Sequence, residues 1–446
     1  MIAFEGLFLI YLTSAVFFIL SIKGLSSPTS AQKGNFLGIA GMILAILATL
    51  LVIPSRNDAG ILFALISAAV LGIFWAKSVK MTALPQMIAL LNGVGGLSSL
   101  LVGMAQILRH QEHLFDTSIG IVIGAIAFSG SIIAFFKLNG MYRFKRFQYA
   151  NFLNIIVLGV LIFCWVQFAS YNTVSWAYFL ILTALIFGGT ITMPVGGADM
   201  PIMISVLNAC SGFAAVGIGF AMSNIVLIIT GALVGASGTI LATVMTKAMN
   251  KSLFQILFLK DLQTQNTQTQ DKIARTASVK DAAFLLENAN KVIVVPGFGM
   301  ASSKAQYALK NMTFLLENKY HVNVKFAIHP VAGRMPGHMN VLLAEAKVDY
   351  TKVFALDEIN PDFETADVAY VIGANDITNS AAQSDPSSPL YGMPILEVFK
   401  AKTVIFVKRS LNAGYAGVEN PLFFADNTLM LYGDAKKVTE EIIAEL

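Results

Sequence analysis

The residues most suited to chemistry in this chain lie in a few short loops, and the first is a G-x-G turn. Residues 297–302 read Gly-Phe-Gly-Met-Ala-Ser and follow an apolar, β-branched run at 291–296. Glycine lets a backbone turn tightly and approach a pyrophosphate, and a following helix N-terminus favours the anion. The third glycine of the full dinucleotide-binding fingerprint is replaced, so the turn alone is a weak signal. Its candidate nucleotide-binding residues are Gly297, Gly299, Met300 and Ala301.

A second loop, residues 329–340, follows another apolar run. In an NAD-binding domain this second strand usually ends in an acid that bonds the ribose 2′-hydroxyl. The loop contains no acid and has Arg334, which argues against NAD and permits a phosphorylated ribose. The candidate residues here are His329, Val331, Ala332, Gly333 and Arg334.

A third loop begins at Gly373 and Ala374, and its Asn375 and Asp376 could bond a ribose or a carboxamide. The alternative for these two side chains is a plain Asx turn or helix cap.

The fourth loop begins with Lys408, Arg409 and Ser410, two cations and a hydroxyl at the end of an apolar strand. Such a group suits a phosphate monoester, and the alternative is a solvated strand end. The glycine-rich stretch that follows could fold over a ligand as a lid, and it comprises Gly414, Tyr415, Ala416 and Gly417.

These loops require an alternating arrangement of strands and helices to position them. The pattern predicts strands at 291–296, 322–328, 352–356, 367–373, 403–408 and 428–432, and helices at 301–317, 338–346, 390–400 and 434–445. Such alternation predicts an α/β, Rossmann-like, doubly wound parallel sheet with ligands at the carboxyl ends of the strands.

The sequence shows no hydrolytic or metal motif. It has no G-x-S-x-G, no H-E-x-x-H and no P-loop lysine, and its two cysteines lie in apolar runs, so we expect no metal site. Hydride transfer needs none of these groups, because a nicotinamide cofactor carries the chemistry. The net charge of +4 gives no indication of nucleic acid.

The first 248 residues have the composition of a membrane bundle. The 446-residue chain is 56% hydrophobic and only 13% charged. A bilayer-spanning helix needs about 20 apolar residues, and nine segments qualify: 3–22, 34–53, 60–76, 84–108, 117–136, 152–169, 173–193, 202–221 and 225–246. With the N-terminus outside and the C-terminal domain inside, the inner loops hold most of the Lys and Arg, whereas the outer loops hold Arg56 and Arg109.

A few polar residues in or beside these spans suggest a shared path through the bundle, because intramembrane polar groups are costly. A serine hydroxyl can instead bond a backbone carbonyl of its own helix. The candidates are Asn92, Ser131 and Asn208 within spans and Asp199 at the inner end of the eighth. We therefore expect a membrane domain at 1–248, a linker and connecting helix at 249–288, and a nucleotide-binding domain at 289–446.

This combination resembles the beta subunit of the proton-translocating NAD(P) transhydrogenase family. The resemblance covers nearly all of the chain, and its most specific stretches are residues 196–201, 329–334, 336–347, 373–376, 408–410 and 414–418.

The resemblance implies that the soluble domain binds NADP(H) and that a separate alpha subunit binds NAD(H). Hydride would pass between the two nicotinamides, with Si-face/Re-face specificity, and inward proton movement would drive NADPH formation. The expected assembly is a dimer of alpha–beta units in a bacterial inner (cytoplasmic) membrane, with the C-terminal domain cytoplasmic.

The resemblance also implies roles for individual residues. Residues matching Lys408, Arg409 and Ser410 hold the 2′-phosphate, and the loop around Tyr415 closes over the nucleotide. Arg334 and Asp376 match positions needed for coupling or nucleotide binding. The proton path or its link to the nucleotide domain is implied for Asp199, Asn208 and Ser131.

One departure concerns the fourth span, where some family members have histidine and this chain has Asn92. Asparagine binds no proton at working pH, so either another residue such as Asp199 binds it or water chains carry it. The alternative function, of a different class, is a membrane transporter or channel gated by an NADP(H)-sensing domain. Against it, the spans show no polar cavity signature of substrate size.

Overall fold

The computed structural model describes residues 2–25, 30–52, 58–80, 83–109, 114–141, 150–196, 199–258, 274–335, 337–388, 390–414 and 416–446. Contacts divide the chain into two units: Met1–Pro194 with Met203–Ile240, and Val195–Ile202 with Leu241–Leu446. The predicted lid residue Tyr415 and the polar linker segment 262–271 lie outside the described residues.

The described residues contain nine helices that are long and apolar enough to cross a membrane. They confirm the nine predicted segments and extend most of them by a few residues. Their bounds are Ile2–Leu25 (α1), Ala31–Val52 (α2), Asp58–Ser78 (α3), Leu84–Leu108 (α4), Leu114–Leu138 (α5), Ala150–Tyr171 (α6), Val174–Thr192 (α7), Met200–Ala221 (α8) and Ile225–Ala248 (α9).

Small residues let pairs of these helices approach backbone to backbone. A Cβ atom added to Gly96 of α4 would lie 2.5 Å from the carbonyl oxygen of Gly124 on α5. Likewise, a Cβ on Gly212 of α8 would lie 2.4 Å from the backbone nitrogen of Gly235 on α9. No larger side chain fits either crossing without a shift, so the helices of each pair pack tightly there.

The second unit contains a six-stranded sheet of order β3-β2-β1-β4-β5-β6, in which every pairing is parallel. Val292 on the central β1 pairs with Val324 of β2 on one side and Val368 of β4 on the other. Both faces of the inner strands are covered, which is why they are continuous apolar runs rather than alternating ones. The strands are Lys291–Pro296 (β1), Asn323–Ile328 (β2), Val353–Ala355 (β3), Val368–Ile372 (β4), Thr403–Lys408 (β5) and Thr428–Tyr432 (β6).

Helices and short 3-10 turns cover the sheet, so the predicted Rossmann-like α/β fold is confirmed. A capping box starts the helix Val279–Glu287, in which the Ser278 hydroxyl accepts from Asp281 N at 3.2 Å and Asp281 Oδ2 accepts from Ser278 N at 2.8 Å. The remaining α-helices are Leu253–Phe258 (α10), Val279–Glu287 (α11), Phe298–Ser303 (α12), Gln306–Tyr320 (α13), His338–Glu345 (α14), Leu356–Ile359 (α15), Ala381–Ser384 (α16) and Ala435–Glu445 (α17).

Two helix predictions need correction. The single helix expected at 301–317 is two helices, because Lys304 adopts a left-handed backbone conformation with φ of 57° between α12 and α13. The helix expected at 390–400 is wrong, and only a 3-10 turn at Val398–Lys400 forms there. Pro394 supplies no amide hydrogen and Gly392 has φ of +77°, so neither continues a helix.

Candidate functional site

The turns after β1 and β4 pack against each other at the carboxyl edge of the sheet. Gly299 N donates to the Gly373 carbonyl at 2.8 Å, and Gly297 N donates to the Ile372 carbonyl at 2.9 Å. A Cβ on Gly297 would lie 2.4 Å from the Cα of Ala374, so a side chain there would collide with backbone. The strand order reverses between β1 and β4, and such switch points are where open α/β sheets bind ligands.

The two residues after the G-x-G turn point elsewhere. Met300 and Ala301 are buried and belong to the main hydrophobic core of the domain. The structure therefore brings Gly297, Gly299, Gly373 and Ala374 together at the switch point. Met300 and Ala301 instead pack in the core and hold the turn in place.

His329, at the end of β2, is held within the protein. Its Nδ1 accepts from Val331 N at 3.2 Å, and its Nε2 lies 2.8 Å from the Pro394 carbonyl. Burial lowers the pKa of His329 to about 4, although the bond to Pro394 opposes this. The neutral ring thus ties the second loop to the segment around Pro394. Ala332 is also buried, and Val331 packs against the same core.

Arg334 places a cation beside the first turn. Its guanidinium carbon lies 4.1 Å from the centre of the Phe298 ring, a cation–π arrangement. The preceding Gly333 has φ of +101°, which a side chain would strain. This glycine lets the loop double back so that Arg334 reaches Phe298.

The third loop bonds to backbone amides of the segment 410–420, which contains the predicted lid stretch 414–417 and is called the lid below. Asp376 Oδ2 accepts from Ala416 N at 3.0 Å. With the Asn375 amide turned so that its oxygen faces donors, that oxygen accepts from Gly414 N at 2.6 Å and from Lys408 Nζ at 3.2 Å. Asn375 makes no side-chain cap to the following 3-10 turn, so the helix-cap alternative is wrong for this residue.

Two buried asparagines anchor the far end of the lid. Asn379 Nδ2 donates to the Glu419 carbonyl at 3.1 Å, and Asn420 Nδ2 donates to the Asn375 carbonyl at 3.2 Å. Both side chains are fully buried. Between these anchors and the third loop, Gly417 turns the chain with φ of +70°.

Lys408 and Arg409 lie at the end of β5 in different environments. Lys408 Nζ lies 4.6 Å from the centre of the Phe423 ring and donates to the Asn412 carbonyl. Burial lowers the pKa of Lys408 to about 8, and the charge of Asp376 partly opposes this. Arg409 is exposed and pairs with Asp434 at 2.6 Å, and the half-buried Ser410 follows it.

The polar residues of the membrane helices fall into two groups. In the first unit, Asn92 is buried on α4 and donates to the Ile204 carbonyl of α8 at 3.3 Å. Asn208 follows Ile204 by one helical turn and so shares its face. Ser131 is buried on α5, its Cβ lies 3.1 Å from a Cβ built on Gly93, and its hydroxyl has no partner among the described residues.

Asp199 belongs to the second unit and is a buried carboxylate. Its two oxygens lie 3.0 and 3.3 Å from Lys251 Nζ. The exposed fraction of the Asp199 side chain is 7%, against 24% for Lys251. An ammonium at this distance compensates the buried charge, which would otherwise be costly.

Comparison with known proteins identifies the family. The model of the NAD(P) transhydrogenase beta subunit family matches residues 8–445. Two relatives are NAD(P) transhydrogenase beta subunits of Rhodospirillum rubrum, one of them from a specified strain. Each is 48% identical over 452 residues, covering 97% of this chain and 97% of the relative.

The chain belongs to the NAD(P) transhydrogenase beta-subunit family.

Membership confirms the resemblance seen in the sequence and makes the chain a subunit of a transhydrogenase. Together with the nine apolar helices, it indicates a multi-pass membrane protein.

Sequence reasoning missed several residues that complete the site. Asn379 and Asn420 were missed because a buried lid anchor has no motif. Lys251 has no motif that marks it out among the basic residues at span ends, and its pairing with Asp199 spans 52 positions. The acid opposite Arg409, Asp434, has a local signal, since it is an N-cap residue type at the first position of the helix predicted at 434–445, and it caps α17.

Proposed function

We propose that this beta-subunit family member binds NADP(H) at the carboxyl edge of its parallel sheet. An alpha subunit holds NAD(H), and transfer of a hydride between the two nicotinamides is the chemistry that the bound cofactors supply. The reaction is coupled to inward proton translocation and is of the Si-face/Re-face specific type. The functional assembly is a dimer of alpha–beta units.

The observation that carries the NADP(H) assignment is the pair of cations after β5. Lys408 is a partly desolvated ammonium with a pKa near 8, and Arg409 adds a planar guanidinium next to it. The 2′-phosphate distinguishes NADP(H) from NAD(H), and such a pair offers it charge-assisted bonds. The absence of an acid after β2 supports the same choice.

The other residues then take distinct parts. The close backbone packing of Gly297 and Gly299 against Gly373 and Ala374 shapes the turn that receives the pyrophosphate, and Arg334 contributes positive charge there. Asn375 and Asp376 hold the lid backbone, with Gly414, Tyr415, Ala416 and Gly417 forming the cover. His329, Val331, Ala332, Met300 and Ala301 keep these loops in place.

Family membership and the nine apolar helices support the assignment of the membrane part. Residues 1–248 form the proton-translocating domain, 249–288 connect it, and 289–446 bind NADP(H). The proton path uses Asn92, Ser131 and Asn208, with Asp199 as the relay at the inner surface. The N-terminus lies outside a bacterial inner membrane and the nucleotide domain lies in the cytoplasm.

The decisive experiment mixes the purified full chain with an alpha subunit, NADPH and an oxidised NAD analogue. We expect reduction of the analogue, monitored by its absorbance. Without reduction, an NADP(H)-sensing domain that gates a transporter would explain the chain better. Selectivity is tested by the double variant Lys408→Ala, Arg409→Ala, which should weaken NADP(H) far more than NAD(H). Equal weakening of both nucleotides would mean that the pair does not read the 2′-phosphate.

The relay assignment has its own test. Asp199→Asn should abolish proton-coupled cycling in proteoliposomes while NADP(H) binding persists. Proton-coupled reverse transhydrogenation that survives in this variant would remove Asp199 from the path.

A further inference from the structure

His338 is buried beside the nucleotide turn and was not among the residues expected to bind. It begins α14, its exposed fraction is 1%, and its ring centre lies 6.4 Å from that of Phe298. Its Nδ1 accepts a hydrogen bond from Arg334 N at 3.0 Å. A Cβ built on Gly333 would lie 2.6 Å from the same Nδ1, so the loop wraps closely around this ring.

These contacts fix where the ring proton lies. Nδ1 accepts a bond and therefore carries no proton. Burial, assisted by the charge of Arg334, lowers the pKa of His338 to about 4, so the ring is neutral at pH 7. A neutral imidazole has one N–H, and here it must be Nε2–H.

This Nε2–H has no hydrogen-bond partner among the described residues, although the atom is buried. A buried donor left unsatisfied is costly, so each case requires an explanation. His329 provides the contrast in the same loop. Its Nδ1 also accepts from a loop amide, but its Nε2 is matched by the Pro394 carbonyl. The protein thus supplies an acceptor for one histidine and none for the other.

We propose that His338 Nε2–H is a hydrogen-bond donor reserved for a pyrophosphate oxygen of the bound dinucleotide. The ring lies between the Phe298 turn and the Arg334 loop, where the proposed NADP(H) site has its positive charge. Because the imidazole is neutral, it adds a directed hydrogen bond there without placing a second positive charge beside Arg334. This inference rests on the proposed nucleotide site and adds a binding residue to it.

Two variants separate binding from loop support. In His338→Asn, the amide oxygen can take the place of Nδ1 and accept from Arg334 N, but the Nε2 donor is lost. In His338→Gln, the amide nitrogen can take the place of Nε2, but the acceptor for Arg334 N is lost. We would measure NADPH binding to each full chain in detergent by calorimetry, with thermal unfolding as the check on folding.

We expect His338→Asn to weaken NADPH binding about tenfold or more, as for loss of a bond to a charged group. His338→Gln should weaken it less. The preference for NADPH over NADH should stay unchanged in both, because the pyrophosphate is common to the two nucleotides. In the wild-type chain labelled with 15N-histidine, NADPH should shift the Nε2 resonance of His338 and leave that of His329 in place.

Wild-type affinity in His338→Asn would overturn the inference, as would a loss in His338→Gln at least as large as that in His338→Asn. An unmoved His338 resonance at saturating NADPH would also overturn it, independently of any variant. If the wild-type chain bound no NADPH, the proposed function itself would fail.

Discussion

The lowered pKa of Lys408 predicts that NADP(H) binding depends on pH in a range where few other groups titrate. The 2′-phosphate needs a protonated ammonium, and its own second ionisation lies near pH 6. Above pH 7 the phosphate charge is therefore constant, and only Lys408 changes. In the free protein its pKa is about 8, because burial disfavours the charged form. The bound phosphate stabilises that form and raises the pKa in the complex.

The sign and size of the effect follow from this linkage. Below pH 8 the lysine is mostly protonated before binding, so affinity is nearly constant. Above pH 8 each binding event must first take up a proton. With a free-state pKa of about 8, the dissociation constant should be about tenfold larger at pH 9 than at pH 7. At pH 8 binding should take up about half a proton.

Calorimetry in buffers of different ionisation enthalpy measures both the affinity and the proton uptake. Lys408→Arg is the matched control, because a guanidinium stays protonated throughout this range. That variant should bind NADP(H) with an affinity that does not change between pH 7 and 9.5. A flat profile in the wild-type chain would refute the assignment of Lys408 to the phosphate. The same slope in the arginine variant would assign the titration to another group.

Three further predictions test the lid, the ion pair and the hydrogen bond from Asn250 to Tyr391. Gly414→Ala places a Cβ 2.3 Å from Asp376 Oδ1, so it should loosen the bond to Ala416. NADPH release should then be about fivefold faster by stopped flow, equivalent to one net hydrogen bond of ~1 kcal/mol. Lys251→Met removes the ammonium that pairs with Asp199, so it should lower the thermal unfolding temperature and the free energy of unfolding, the latter by at most about 3 kcal/mol. The double variant with Asp199→Asn should recover part of the lost free energy of unfolding. Fully additive losses in the two single variants would contradict the pairing. Asn250→Ala removes the amide that donates to the Tyr391 carbonyl at 2.7 Å. It should slow proton-coupled turnover, while the NADP(H) affinity stays within about twofold of wild type. Unchanged coupled turnover would show that this hydrogen bond does not contribute to coupling.

The fold was predictable because its signals are local and strong. Nine apolar runs of spanning length and six β-branched runs followed by turns each identify their own element. The failure at 390–400 has a tertiary cause as well as a local one. Leu396 N donates to the Ile377 carbonyl at 2.9 Å, and the Asn360 amide accepts from Glu397 N at 3.1 Å. Bonds to distant residues thus replace the helical bonds that the apolar pattern suggested.

The candidate site was predictable only in part, for a different reason. Residue types and loop positions indicated the nucleotide edge, since parallel strands bring their carboxyl ends together. The states of those residues depend on partners that are distant in sequence. Burial and the charge of Asp376 set the pKa of Lys408, and the Arg334 backbone sets the tautomer of His338. Local sequence patterns do not encode such pairings.

Within the second unit, a series of contacts connects the proposed proton relay with the lid. Lys251 pairs with Asp199, and the adjacent Asn250 holds the Tyr391 carbonyl. Tyr391 lies between Leu390 and Met393, and these two belong to a small buried cluster against which Ala416 and Val418 of the lid pack. A proton on Asp199 would neutralise one half of the ion pair, so the segment that contains Lys251 and Asn250 would lose one restraint. Asn92 binds no proton. A relay at Asp199 would therefore place the change of charge next to Lys251 and Asn250, the residues at which the series of contacts to the lid begins.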